Sequence, residues 1–290
     1  MAIDVGRAGV WVGARNWPDD AGEVADAFAE LEGLGYGAAW LGGAEGDLVR
    51  PARILAATTR LVAATGIVNV WTEPADEVAA AFHRVDGEYP DRLLLGIGAG
   101  HAKFVEQSGR QYRRPYSKVV AYLDELDAAA PAPVPVASRA VAALGPRTVR
   151  LAGERSLGAH PYLVTPGHTR LARDVLGAGP LLAPEQKVVL SADEDDVHRI
   201  AGPVVEFYLG LPNYVNNLRR IGFTDDDVRG PGSKRLVDAL IAWGDPDTVA
   251  ARIAEHHAAG ADHVCVQVLT GRGGLPRDAW RALAPALASA

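Results

Sequence analysis

The 290-residue sequence contains a single cysteine, Cys265, and carries a net charge of −7. One cysteine excludes a disulfide scaffold and any zinc site built on cysteine clusters. The acidic balance lacks the excess of Lys and Arg that binding to a nucleic-acid backbone requires. No apolar run approaches the ~20 residues of a membrane helix, and residues 1–4 show no basic and apolar leader. The sequence therefore predicts a cytoplasmic protein with no nucleic-acid or membrane partner.

Short apolar runs alternate with helical stretches along nearly the whole chain. Runs such as GIVNV and HVCVQV are rich in β-branched residues, which is typical of strands buried on both faces. Asp20 before one helical stretch, and a proline directly after Gly145, Thr165 and Asp245, are typical helix starts. The eight predicted strands cover residues 8–13, 38–42, 61–70, 92–97, 140–144, 158–164, 187–191 and 263–269.

Alternating strand and helix units predict an α/β fold with a parallel sheet and right-handed crossovers. Eight such units in one chain favour a closed (β/α)8 barrel over an open doubly wound sheet. The stretch between the seventh and eighth strands is too long for one crossover, so we expect a helical insertion over about residues 192–245. Because no linker interrupts the pattern, we expect residues 1–290 to form a single barrel domain.

A barrel of this kind carries its site at the carboxyl ends of the strands, where only the connecting loops are free for chemistry. In this sequence these ends hold aromatic and amide side chains, among them Asn16, Asn69 and Trp71, together with two glycine-rich loops and few charges. Such a mouth is typical of a pocket for a flat ring ligand and does not fit a hydrolase with paired carboxylates. The sequence therefore predicts a small-molecule site.

Three positions at these strand ends suggest chemistry. His101 follows the fourth strand and could exchange a proton near neutral pH, or it could only hydrogen-bond its own loop. Gly145 opens a helix at the end of strand five, which suits an anion, although ordinary capping explains it equally well. His160 and Tyr162 alternate along strand six, and we expect both to face the barrel interior because polar groups against apolar helices are costly.

A group of residues near the end of the chain resembles a metal cluster at first sight. The group comprises His256, His257, His263 and Cys265. The first two lie in the last turn of a predicted helix, where a cation would complement the helix dipole, and His263 begins strand eight. We therefore expect these residues to have structural roles and predict no metal site.

Five sequence blocks, in this order, carry a resemblance to a known family. They are ATGIVNVW at 64–71, EYPDRLLLGIGAGH at 88–101, AALGPRTVRLAGE at 142–154, GAHPYLVTP at 158–166 and GLPNYVNNLRRIGFTDDD at 210–227. The sequence resembles the luciferase-like monooxygenase superfamily, and within it the oxidoreductases that depend on the deazaflavin coenzyme F420. The resemblance covers nearly the whole chain and implies a TIM barrel with a flavin or deazaflavin lying across its mouth.

The resemblance also implies roles for single residues. It implies a cis peptide bond between Gly66 and Ile67 beside the cofactor ring, and an acid or base role for His101. Tyr162 matches a position that lines the substrate or cofactor, and it is the second candidate for proton transfer. The remaining predicted contacts are Asn69, Gly98, Leu144, Gly145 and His160 to the cofactor, with the phosphate near Gly145 as the resemblance implies, and Asn16, Trp71 and Tyr214 to the substrate.

One departure from the resembled pattern lies after strand two. Several deazaflavin-dependent dehydrogenases carry an Asp or His pair there, and this chain has Gly42 and Gly43. The missing base argues against alcohol oxidation, so we expect reduced F420 to reduce an activated C=C or C=N bond of a small substrate, with His101 or Tyr162 supplying the proton. The alternatives are an FMN-dependent monooxygenase and a catalytically silent barrel that only binds the cofactor.

Barrels of the resembled superfamily often pair. An exposed Trp243 or Phe223 would permit a homodimer here, although no interface can be read from the sequence. The expected partners are therefore a small-molecule substrate, the cofactor and a second copy of the chain.

Overall fold

A computed structural model describes residues 3–288. Strands and helices alternate along these residues. The strands are β1 (Ala8–Gly13), β2 (Ala38–Gly42), β3 (Val62–Thr65), β4 (Val68–Asn69), β5 (Leu93–Gly98), β6 (Arg139–Ala142), β7 (Gly158–His160), β8 (Leu181–Leu182), β9 (Glu185–Val189), β10 (Ile241–Trp243) and β11 (Val264–Val268). The helices are α1 (Ala21–Gly33), α2 (Val49–Ala57), α3 (Ala75–Glu88), α4 (Ala102–Gln107), α5 (Pro115–Asp127), α6 (Pro146–Arg155), α7 (Pro166–Leu176), α8 (Glu194–Leu209), α9 (Pro212–Arg220), α10 (Lys234–Leu240), α11 (Pro246–Ala258) and α12 (Arg277–Leu287).

The strands form one parallel sheet that curls into a barrel. From β11 the order runs through β1, β2, β3, β5, β6 and β7 to β8. β8 and β9 are two parts of one stretch: Leu181 pairs with Gly158 of β7, and Glu185 pairs with Cys265 of β11. This stretch joins the two ends of the strand order, so the predicted (β/α)8 barrel is confirmed.

Several strands differ from the sequence prediction, and β8 has no counterpart in it. The third predicted strand is interrupted at Gly66 and Ile67 and becomes β3 and β4. The sixth ends at His160 and not at residue 164, because Pro161 has no N–H to continue the ladder and Leu163 turns to a φ of 54°. β10 was expected as part of a helical insertion, but it pairs with β9 from Ile241 onward, on the side of β9 that β11 leaves open.

Predicted helix starts are capped as their sequences indicate. Asp20 Oδ1 accepts a hydrogen bond from the Glu23 amide at 2.7 Å. Asp245 caps α11 in the same way through the Thr248 amide at 2.8 Å. These caps satisfy amide groups that have no partner within their own helix.

Apolar side chains form three clusters. One lies between the strands and the outer helices and includes Phe28 and Phe82. A second fills the barrel interior around Trp40 and Cys265. The third belongs to α8, α9 and α10, the helices between β9 and β10, and is centred on residues such as Leu218. These three helices therefore pack around a core of their own beside the barrel mouth.

The two aromatic residues proposed for pairing are partly covered within the chain. Trp243 Nε1 donates to Asp238 Oδ1 at 3.1 Å, and the Arg235 guanidinium lies 4.7 Å from the centroid of the Phe223 ring. The homodimer stays a prediction. Among the described residues, no helix is long and apolar enough to cross a membrane.

The histidines near the C-terminal end have structural partners. His256 Nδ1 accepts from the Thr169 hydroxyl at 2.8 Å, and its Nε2 donates to Gln186 Oε1 at 2.9 Å. Burial lowers the pKa of His256 to about 3, so the ring is neutral and the expected role as a cation at the helix end is wrong. His263 Nε2 accepts from Trp40 Nε1 at 3.1 Å in the barrel interior. Within residues 3–288, no group of three His, Cys, Asp or Glu side chains is arranged to hold a metal ion.

Candidate active site

A cavity of about 590 Å³ opens among the loops at the carboxyl ends of the strands. Ligand pockets in proteins commonly measure ~300–1,000 Å³. The barrel supplies Trp11, Gly66, His160 and Tyr162, and the inserted helices supply Tyr208, Tyr214 and Arg220. The loops after β5 and β6 complete the wall with His101, Phe104, Leu144 and Gly145.

Most of the predicted site residues line this cavity. They are Gly66, Ile67, Asn69, His101, Leu144, Gly145, His160, Tyr162 and Tyr214. Asn16, Trp71 and Gly98 are not among the lining residues. Asn16 ends a short 3-10 turn, the Trp71 ring packs on Tyr112 at 5.4 Å, and Gly98 closes strand β5.

The floor of the cavity brings two ring nitrogens together at a cis peptide bond. The bond between Gly66 and Ile67 is cis, as the resemblance implies. A Cβ built on Gly66 would lie 2.7 Å from Trp11 Nε1 and 3.5 Å from His160 Nε2. Both nitrogens are buried without a partner, and His160 Nδ1 donates to the Ala183 carbonyl at 2.7 Å. Trp11 therefore offers an unused donor, and His160 Nε2 an unused acceptor, at the same place.

The ring of Trp11 also accounts for Gly42. A Cβ on Gly42 would lie 2.0 Å from Cη2 of Trp11, so a side chain there collides with the indole. Gly13, the register partner of Gly42 on β1, leaves an ordinary distance of 3.5 Å to the same ring. The glycine that stands after strand two in place of an Asp or His is thus complementary to Trp11, because the indole ring fills the space that a side chain at Gly42 would occupy. Trp11 was not anticipated from the sequence, although its position two residues before the end of β1 points to the mouth.

The part of the cavity beside Gly145 is positive. No side chain caps α6, which begins after Gly145, and a Cβ on Gly145 would lie 3.8 Å from Nη1 of Arg220. The same Nη1 donates to Asn217 Oδ1 at 3.1 Å. A helix N-terminus and a guanidinium together favour an anion at this place. Arg220 was missed in the sequence because nothing in a helical RR pair shows which arginine faces the barrel.

His101 lies among aromatic rings. Its ring centroid is 5.9 Å from that of Phe104, 6.2 Å from Tyr208 and 5.7 Å from Tyr214. Burial lowers the pKa of His101, which keeps the imidazole neutral at pH 7, and Nδ1 has no hydrogen-bond partner. A neutral imidazole with an unengaged nitrogen can take up a proton in the cavity, and the imidazolium that forms can release it again.

A buried polar network holds Tyr162. Its hydroxyl donates to Gln267 Oε1 at 2.7 Å and lies 3.0 Å from the hydroxyl of Tyr208. Lys187 Nζ donates to the same Gln267 oxygen at 3.0 Å and to Glu185 Oε1 at 2.9 Å. Burial raises the pKa of Glu185 and lowers the pKa of Lys187, and their mutual attraction opposes both shifts. The sequence gives no signal for this pair, because Lys187 stands at the start of the seventh predicted strand and Glu185 lies before it.

Comparison with protein families decides the classification. The family model of luciferase-like monooxygenases matches residues 3–263, which is most of the chain. The chain belongs to the luciferase-like monooxygenase family. No curated protein matches the sequence significantly. Membership of the luciferase-like monooxygenase family supports a redox function for this protein.

Known structures share the fold of this luciferase-like protein over nearly its whole length. The coenzyme F420-dependent tetrahydromethanopterin reductase from Methanopyrus kandleri is 18% identical, with a TM-score of 0.76 and 99% of each chain covered. An F420-dependent secondary alcohol dehydrogenase, in complex with an F420–acetone adduct, is 13% identical, with a TM-score of 0.74, covering 97% of this chain and 99% of that one. A type II Baeyer–Villiger monooxygenase from Pseudomonas putida, in complex with FMN, is 15% identical, with a TM-score of 0.64 and 96% of each chain covered. At these identities the likeness shows the shared fold alone.

Proposed function

We propose that the protein is an oxidoreductase that transfers a hydride between coenzyme F420 and a small organic substrate, by reduction of an activated C=C or C=N bond. The observation that carries this proposal is the arrangement of the cavity. One end is positive at Gly145 and Arg220, and the floor holds the unpartnered nitrogens of Trp11 and His160. A flat heteroaromatic ring with an anionic tail is a ligand that uses both features.

The residues present fit such a cofactor. Arg220 and the N-terminus of α6 would hold the anionic tail, while Trp11 would donate to, and His160 accept from, the polar edge of the ring. When bound, F420 supplies the hydride, and a deazaflavin does not activate O₂ usefully. The two F420-dependent enzymes named above, with TM-scores of 0.76 and 0.74, support a deazaflavin.

The chain's own groups supply the proton and the dry environment. The hydroxyl proton of Tyr162 is engaged by Gln267, so His101 is the residue that we assign to proton transfer. The neutral ring of His101 can take a proton from water, and the imidazolium that forms can pass this proton to the substrate, which returns the ring to its neutral form. The rings of Tyr208 and Tyr214 around it exclude water from that end of the cavity.

The proposed function is tested by incubating the protein anaerobically with reduced F420 and a panel of neutral enones and imines. Oxidation of the reduced F420 is monitored by its absorbance. We expect turnover with at least one acceptor and a loss of about 10²–10⁴-fold in rate for His101→Ala, the size of a general acid contribution. Unchanged rates in both His101→Ala and Tyr162→Phe would contradict the assignment. Binding of F420 without turnover of any acceptor would instead favour the catalytically silent barrel.

A second candidate function is an FMN-dependent monooxygenase. The family match and the FMN complex of the Baeyer–Villiger enzyme favour it. Oxygen uptake in the presence of reduced FMN and a substrate, with no oxidation of reduced F420, would support this function over the first.

A further inference from the structure

Lys187 fixes the direction of the hydrogen bonds beneath the cavity. Its ammonium group has only donors, and Nζ lies 3.0 Å from one side-chain atom of Gln267. That atom must therefore be the carbonyl oxygen of Gln267 and not its amide nitrogen. Because the hydroxyl of Tyr162 lies 2.7 Å from the same oxygen, Tyr162 must donate its proton to it.

The same constraint passes on to Tyr208. Tyr162 has one hydroxyl proton, which Gln267 accepts, so the 3.0 Å contact between the two tyrosine hydroxyls requires Tyr208 to donate. Tyr208 lines the cavity, and its hydroxyl then has no proton to offer to a ligand. What it presents there is an oxygen lone pair, which is a hydrogen-bond acceptor.

The arrangement is held firmly around Tyr162. The Lys187 ammonium lies 3.7 Å from the centroid of its ring, and Glu185 Oε2 accepts from the Leu163 amide at 3.0 Å in the next residue of the chain. The side chains of Lys187 and Glu185 are both 0% exposed. If Tyr162 turned its proton toward Tyr208, the oxygens of Tyr162 and Gln267 would face each other at 2.7 Å with no proton between them, which is unfavourable.

The end of the cavity around Tyr208 is aromatic. The ring of Tyr208 lies 4.9 Å from that of Tyr214, and Phe104 and Phe207 stack beside them at 6.0 Å. Among the described lining residues, Arg220 is the one that carries a formal charge, and it lies beside Gly145. Lys187 Nζ lies 5.2 Å from the Tyr208 ring centroid but is already paired with Glu185, so a charged substrate near Tyr208 would lose hydration without gaining an unpaired ionic partner.

We propose that the substrate is an uncharged molecule that donates a hydrogen bond, from a hydroxyl or N–H group, to the hydroxyl oxygen of Tyr208, and that Lys187 and Gln267 are positioning residues that keep this oxygen an acceptor. This inference rests on the proposed function for the identity of the reaction. It adds the chemical class of the substrate and the contact that selects it.

Matched naphthalene probes titrated calorimetrically into the F420-loaded protein test this inference. 2-Naphthol can donate a hydrogen bond, 2-methoxynaphthalene cannot, and 2-naphthoate is an anion of similar size. We expect 2-naphthol to bind about three- to tenfold more tightly than 2-methoxynaphthalene, the effect of one neutral hydrogen bond, and 2-naphthoate to bind most weakly. The preference for 2-naphthol should disappear in Tyr208→Phe.

Variants of Gln267 test the positioning role. In Gln267→Met, Tyr162 can turn its proton toward Tyr208, which then can donate to a ligand, so the preference should shrink. Gln267→Glu keeps an acceptor oxygen for Lys187 and Tyr162, so this variant should retain the preference for 2-naphthol. Tyr112→Phe is the matched control for Tyr208→Phe. Tyr112 lines the same cavity, but its hydroxyl contacts the Gly100 carbonyl at 3.5 Å and not the Tyr162 hydroxyl. A merely structural role of Gln267 would weaken both neutral probes equally and leave their ratio unchanged.

Several outcomes would overturn the inference. Equal affinity for the two neutral probes, tight binding of 2-naphthoate, or a preference that survives Tyr208→Phe contradicts the substrate class. A preference that survives Gln267→Met contradicts the positioning role. Repeating the titrations without cofactor separates this inference from the proposed function. If the protein does not bind F420 but still prefers 2-naphthol, only the proposed function is contradicted.

Discussion

The substitution Gly42→Ala tests whether the Trp11 ring forms the cavity floor. The added Cβ would lie 2.0 Å from Cη2 and 2.2 Å from Cζ2 of Trp11, whereas ordinary contacts begin at 3.4 Å. The indole must therefore move by about 1.4 Å, the difference between 3.4 and 2.0 Å. Overpacking of this kind costs ~1–3 kcal/mol of unfolding free energy. A displaced indole also enters the space that we assign to the cofactor ring.

Urea unfolding followed by far-UV circular dichroism measures this cost. In a Trp11→Val background the ring is absent, so Gly42→Ala should be neutral or stabilising by ~0.4–1 kcal/mol, because alanine restricts the unfolded chain. The double-mutant cycle should thus give a coupling of ~1–3 kcal/mol. Gly13→Ala is the matched control, since its Cβ meets the same ring at 3.5 Å. A cost of Gly42→Ala that is equal with and without Trp11 would refute the reasoning.

Three further predictions follow from buried and charged groups. Arg220→Gln should weaken binding of F420 about tenfold and reduce the salt dependence of that binding. The control is Arg219→Gln, because the Arg219 side chain pairs with an exposed aspartate. This control should not change the dissociation constant of F420 measured by fluorescence titration. His256 has a folded pKa of about 3, so the protein loses stability as the pH falls below ~6.5, where His256 of the unfolded chain becomes protonated. His256→Gln should therefore reduce the slope of the unfolding free energy against pH by ~1.4 kcal/mol per pH unit. An unchanged slope would contradict this. Lys187→Met leaves Glu185 buried and unpaired at a cost of ~3–5 kcal/mol, and the double variant with Glu185→Leu should regain most of it in thermal unfolding.

Local sequence patterns predict the barrel because its units obey local rules. Period, capping and proline placement mark α1, α6 and α11 directly, and Asp20 and Asp245 cap as their types suggest. β10 could not be predicted, because its three residues are too few to show a hydrophobic periodicity. They form a strand only because they pair with β9. α2 begins after Leu48, whose φ is 55° and whose side chain is no cap, so its start has no signal in the sequence.

The candidate site divides in the same way. Residues that follow strands directly, such as His101 and Gly145, can be placed at the mouth from the sequence. The roles of Trp11, Lys187 and Arg220 could not be predicted, because these roles depend on partners distant in the chain. Arg220 reaches Gly145 only through the packing of α9, and Lys187 meets Gln267 only across neighbouring strands.

Equilibrium titration of the protein with F420 and, separately, with FMN tests the central claim most directly. Quenching of tryptophan fluorescence reports occupancy, because Trp11 lies in the cavity floor. We expect saturable binding of F420, weaker binding of FMN, and loss of F420 affinity in Arg220→Gln. Tight binding of FMN alone, or F420 binding that is indifferent to Arg220, would contradict the claim that this cavity holds a deazaflavin with its anionic tail beside Gly145.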